Sequence, residues 1–431
     1  MRKIYLLLFI LLLACTSVHS RELFDEKPSS IQVEAEKKFK QARRLIDIED
    51  WALARVVLLE VIQIQPQMGQ AHVDLALTNL KLGNLKEARE DIEKGMGYIK
   101  DYSRAYYVLA MINLKAHKPG EALRNINNAI ELGGTDSDFY YLKGIIYMVS
   151  DDYAQAQAGF ERALELSPSN PSIMGYLALS LYHQGKIVQA MDYSKKALEA
   201  GPEDFEANLS HGMILAMEQE PITAEMFFNK AKSIEPENPE SFYNLGLLSL
   251  NQKKNAQAEA YFEESIRRNE NNPESYLALG HIYIEQGQYE KGKAQLEKAL
   301  EYQPDSADIY LNMGVAELRL NHPNQAESLF KKAQVLAPDN PRIRLALGSA
   351  QKIQGKFDGA LREYKRAQAL APDMIEVYYN LANLYETRGN NKLAVEYLNQ
   401  YINKARELNA DIDFAQVEKR MEILKRAQKP R

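Results

Sequence analysis

A 34-residue period constrains this chain more than any other feature. Prolines stand at 66, 168, 202, 236, 304, 338 and 372, all in one phase; Lys100, Gly134 and Glu270 fill the beats between them, and the eleventh beat falls at Arg406. Twelve residues before each beat the sequence places alanine, from Ala54 to Ala394, with Gly292 the one exception among eleven. Twenty-four residues before each beat, from Ala42 to Ala382, all eleven residues are alanine or glycine. Such spacing describes an antiparallel helix pair repeated without a gap, in which small residues let the two helices approach closely. Leucine and aromatic residues one turn away fill the space around them, as in Tyr276-x-x-Leu279-Gly280-x-x-Tyr283. Gly185-Lys186, Gly287-Gln288 and Gly355-Lys356 mark turns between the helices of a unit. Proline at the end of a unit stops its second helix, because it has no amide hydrogen and cannot continue the ladder.

In its small residues, turns and prolines the pattern resembles the tetratricopeptide repeat family, over eleven tandem units from Ala35 to Leu408. The resemblance implies an all-α fold: a right-handed superhelical α-solenoid of helix-turn-helix repeats, with no room for a second domain. Repeat one is degenerate, with Glu49 where glycine is common, Val61 where alanine is, and the only tryptophan, Trp51. Residues 409–431 are expected to form a capping helix and a basic tail. Phe414, Val417, Met421 and Leu424 recur there at intervals of 3, 4 and 3, an apolar seam that would cover the last repeat.

Residues 1–20 have the shape of an export signal, and residues 21–34 read as a linker. Arg2 and Lys3 precede an apolar run, Ile4 to Ala14, too short to span a bilayer as a stable helix. Leu12-Leu13-Ala14-Cys15 resembles a bacterial lipobox, with Leu13 where a small residue is more usual, and it makes Cys15 the expected lipidation site. Cleavage after Val18-His19-Ser20 is the alternative, and an uncleaved anchor a third. The leading expectation is an exported, periplasm-facing chain tethered by lipid to the outer membrane.

The composition narrows the chemistry. The chain carries 53 basic and 59 acidic residues, a net charge of −6. Arg2 and Lys3 would leave with the signal, for −8. That balance argues against nucleic acid, whose affinity comes from a basic surface that neutralises phosphates. One cysteine excludes intramolecular disulfides and cysteine-cluster metal sites. No nucleophile elbow, phosphate-binding glycine loop, zinc-spaced histidine pair or dinucleotide fingerprint is present. The expected protein is no enzyme and has no metal and no cofactor.

The family resemblance implies that the first helix of each unit lines the concave face, with its fifth, ninth and twelfth positions toward ligands. Those positions share one helical stripe. Over repeats two to seven the fifth includes Val73, Tyr107, Tyr141, Leu209 and Tyr243, and the twelfth includes Leu80, Leu114, Met148, Tyr182 and Leu250. The ninth reads Leu77, Met111, Ile145, Leu179, Met213 and Leu247, then turns to His281, Val315, Ser349 and Asn383. One reading packs this stripe against neighbouring repeats. The other makes it an apolar trough for an amphipathic helix or an extended peptide, with methionines suited to partners of more than one shape. The family's lysine-and-asparagine clamp for a C-terminal carboxylate is not visible. Basic residues Lys37, Lys38, Lys40, Arg43 and Arg44 cluster near the start, where they could meet lipid headgroups.

A lipobox followed by such an array resembles the exported lipoproteins that assist assembly of type IV pilus secretins. The function this implies is a non-enzymatic adaptor in the cell envelope that holds partner proteins in its groove. The alternatives are a carrier of acyl chains or lipid, and an adaptor for cell-wall enzymes or polysaccharide export.

Overall fold

In the computed structural model, residues 30–133 and 136–427 are described; Cys15, the signal and the last four residues of the tail lie outside them. Among the described residues there are 23 helices and no strand. Twenty-two follow one another in the order the period demands, and the last, Phe414–Arg426, is the cap. The first helices of repeats two to four begin at Gly69, Ser103 and Ser137, and those of repeats five, seven, eight and ten begin at Pro171, Pro239, Pro273 and Pro341.

The starts are built from sequence. Asn170, Asn238, Asn272 and Asn340 cap the helices that follow, each side-chain oxygen accepting a backbone N–H, and proline takes the first helical position, where no donor is needed. The turn inside each repeat is equally regular. Residues 49, 83, 117, 151, 185, 219, 253, 287, 321, 355 and 389, all in one phase of the period, have φ between 56° and 81°. Glycine holds five of these left-handed positions; Glu49, His117, Asp151, Gln219, Lys253 and Asn321 hold the rest without glycine's freedom.

The small residues are where the helices meet. Ala54, Ala88, Ala122, Ala156 and Ala190 are fully buried, as are Ala42, Ala76, Ala110 and Ala178. Where the first helix carries glycine, the second helix sends a large side chain against it. A Cβ on Gly144, Gly314 or Gly348 would stand 2.5, 2.4 or 2.6 Å from a ring carbon of Phe160, Phe330 or Tyr364. Where the first helix carries Ala76 or Ala110, the partner is the slimmer Ile92 or Ile126.

The helices gather into two compact bodies divided between Glu218 and Gln219, inside repeat six. Within each body, second helices pack on the next first helix, and first helices also touch their successors. In the C-terminal body the cap packs on the second helix of repeat eleven and buries Val417, Met421 and Leu424, with Phe414 half-buried beside them. The seam read from sequence is the packing face. No helix among the described residues is long and apolar enough to cross a membrane.

Candidate functional site: the first-helix row

The sixteen trough residues fall into two groups. Val73, Leu77, Leu179 and Leu209 are buried and belong to the core. Val73 and Leu77 lie in a cluster shared by repeats one to three, and Leu179 packs with Ala178 and Ile214. For these four the packing reading holds, and they are not open to a partner.

The other twelve are half-buried, with one edge on a core and one toward solvent. Leu80, Tyr107 and Met111 rest on the first cluster, and Tyr107, Met111 and Leu114 also rest on the next. Tyr141, Ile145, Met148 and Tyr182 line the core of repeats four and five, and Met213 joins Met148 and Tyr182 beside Leu179. Rings link the row along its length: Tyr107 lies 5.2 Å from Phe139, and Tyr141 5.6 Å from Tyr176. Burial pushes the Tyr107 hydroxyl well above the usual tyrosine range, and Asp138 and Asp136 add to the shift, so the phenol stays neutral. In the C-terminal body Tyr243, Leu247 and Leu250 repeat the arrangement on the core around Phe262 and Tyr283.

The row does not run on evenly. The first helices of repeats five and six, Pro171–His183 and Phe205–Met217, pack closely against one another, unlike the lighter contacts between other consecutive first helices. Gly175 makes this possible at a position where most repeats carry a bulky residue. A Cβ there would come within 2.4 Å of the Ser210 Oγ. This close approach draws Leu179 and Leu209 into the interior. The glycine was visible in the sequence; that it brings two helices together was not.

Polar residues on the same helices have structural partners. Asp74, fully buried, accepts from Arg43 Nε at 3.0 Å and Arg104 Nε at 2.9 Å, and Arg43 also reaches the Tyr102 hydroxyl. The clasp ties repeats one, two and three, and makes Arg43 a structural residue. In the C-terminal body His281 is exposed, with Glu285 3.8 Å away on the next turn. Ser349 donates to the Leu345 carbonyl, and Asn383 accepts from Arg420 of the cap at 2.6 Å. Arg420 also grips Glu386 and lies over Tyr379, beside a cavity of about 580 Å³ lined by Tyr379, Tyr401, Asp413 and Lys419. Past Leu247 the ninth positions of this body are therefore polar at repeats eight, ten and eleven, and Val315 of repeat nine stands alone among them. Among the described residues no three His, Cys, Asp or Glu side chains gather as a metal site would require.

Sequence models described as tetratricopeptide repeat match residues 69–102, 141–205, 249–311, 284–350 and 375–404, and one described as TPR repeat matches 352–389. No curated protein matches the chain. Similar solved structures include the APC/C hetero-tetramer Cut9–Hcn1, at TM-score 0.47 and 14% identity, over 95% of this chain and 92% of that one. Yeast Tom70 aligns at TM-score 0.45 and 14% identity over 92% and 96% of the two chains. YrrB, described as a TPR protein with an unusual peptide-binding site, aligns at TM-score 0.34 and 22% identity, over 41% of this chain and 91% of its own.

Proposed function

This chain belongs to the tetratricopeptide repeat family, and on that premise we propose that it is a non-enzymatic scaffold that holds a partner protein along the first helices of repeats three to five. One observation carries the reading. Tyr107, Met111, Leu114, Tyr141, Ile145, Met148 and Tyr182 form a row of large apolar side chains on successive first helices, each anchored on a core and each with an edge left open. Anchoring keeps the row ordered before a partner arrives, which lowers the entropy lost on binding. The methionines let the surface adapt. An amphipathic helix or extended segment laid on the row fits this shape. Full burial of such side chains is worth about 1.5–3 kcal/mol each, and completing burial of a half-covered one roughly half that, before ordering costs.

The proposed setting is the cell envelope, with export directed by residues 1–20 and Cys15 carrying the lipid. Assembly of a secretion or pilus machine is the process we place it in, on the pairing of a lipobox with this array.

The test is a Met111→Glu, Met148→Glu double variant beside a Glu263→Lys control on an exposed outer face, each assayed for partner capture from detergent-solubilised envelopes and for melting. Two charges under a bound apolar segment should weaken capture by roughly ten- to a hundredfold, with melting within a few degrees of the parent. A collapse in melting would make both residues core, and full capture by a folded variant would remove the row as the docking site.

A further inference from the structure

A second apolar surface lies on repeat one, away from the row. Its second helix, Trp51–Ile64, exposes Leu53, Val56 and Leu59 by 45%, 51% and 43%, while Ala54, Val57, Leu58 and Val61 fill the core from the opposite side. In the repeat register these three are outward positions. The other ten repeats place thirty residues at the same positions, and only Met226 and Leu393 among them are large and apolar. Repeat two has Glu87, Glu90 and Glu93 there, and repeat nine Gln325, Ser328 and Lys331. Ile31, Val33 and Ile48 of the same repeat and its lead-in are also exposed. The apolar stripe is thus a property of the first repeat and not of the fold.

We infer that this stripe rests on the lipid bilayer, with Leu53, Val56 and Leu59 in the interfacial region and repeat one as the membrane-facing end of the chain. The inference rests on the proposed anchoring through Cys15. Three observations favour lipid as the occupant. Ser30 is the fifteenth residue after Cys15, so even at full extension the stripe's helix pair begins within about 54 Å of the anchor. Lys37, Lys40 and Arg44 are exposed at intervals of 3 and 4 along the first helix, where headgroup phosphates would meet them. Residues 30–68 carry six basic and six acidic groups and no net charge, in a chain whose total is −6, so this repeat is less repelled by an anionic surface than the chain as a whole. Tethering then makes a small apolar contact effective, because the second contact forms within one assembly rather than from free solution.

The experiment uses the lipidated full chain in phosphatidylethanolamine–phosphatidylglycerol vesicles. A nitroxide is attached at Val56→Cys, and in a second protein at Ser328→Cys, which holds the same repeat position in repeat nine. Lipidation leaves the introduced thiol as the only free one. The label at 56 should become several-fold more accessible to oxygen than to a water-soluble nickel complex, and the label at 328 should behave as in water. Leu53→Glu with Leu59→Glu should return the label at 56 to water while the protein still sediments with vesicles. A sedimenting chain whose label at 56 stays in water overturns the inference while leaving the anchor intact. A chain that does not sediment overturns the anchoring itself, and the inference with it. A vesicle-free dimer that the same glutamates dissociate would assign the stripe to a second copy, and that too overturns it.

Discussion

At the scale of single residues, the helix contacts are matched pairs. Gly314 is open only to the extent that Phe330 fills it, and a Cβ there would stand 2.4 Å from the ring. Gly314→Ala should therefore cost about 1–3 kcal/mol, the usual range for overpacking a core. Adding Phe330→Leu should recover part of that loss by recreating the alanine–aliphatic pairing of Ala76 with Ile92; a double-mutant cycle by denaturant unfolding measures it. Charge is matched in the same way. Burial alone would raise the Glu327 carboxyl, but hydrogen bonds from Lys356, Lys331 and Gln354 outweigh it and hold the group down at about 2. A carboxylate depressed in the folded state adds stability that is present above its unfolded pKa, near 4.5, and lost as pH falls toward 2. Wild type should exceed Glu327→Gln by on the order of 1–3 kcal/mol at pH 6, and the gap should close between pH 5 and pH 2.

At the scale of elements, the turn inside each repeat gives a prediction that follows from its backbone geometry. Lys253 sits at φ 59°, in the left-handed region that costs a side-chain-bearing residue and not glycine. Lys253→Gly should raise stability by about 0.5–1 kcal/mol, and the same change at Lys254, one residue outside the phase, should not; thermal melting of the two variants decides it. The helices and their spacing were readable from the prolines and small residues because those report steric requirements that local sequence alone satisfies. The non-glycine turns at His117, Asp151 and Lys253 were not readable, since nothing in those residue types announces a positive φ. The stripe positions were half readable. Sequence placed Leu77 and Leu179 in the same class as Met111 and Ile145, but their burial depends on how closely neighbouring helices approach, and Gly175 sets that between repeats five and six.

At the scale of the whole molecule, one period repeated eleven times builds a chain in which each repeat packs chiefly on its neighbours. Specialisation then comes from what each copy places at fixed positions. Repeats three to five present the anchored apolar row, repeat one adds an outward stripe, and the first helices of repeats eight and eleven present His281 and a cap-bound Asn383 instead. The central claim is that a partner lies on the row of repeats three to five. Site-specific photo-crosslinking in living cells tests it whatever the identity of that partner, using a diazirine amino acid at Tyr107, Met111 or Met148, and at His281 and Glu263 for comparison. The account predicts one common protein adduct from all three row positions and none from the other two. Adducts at His281 or Glu263 with the row silent would contradict it.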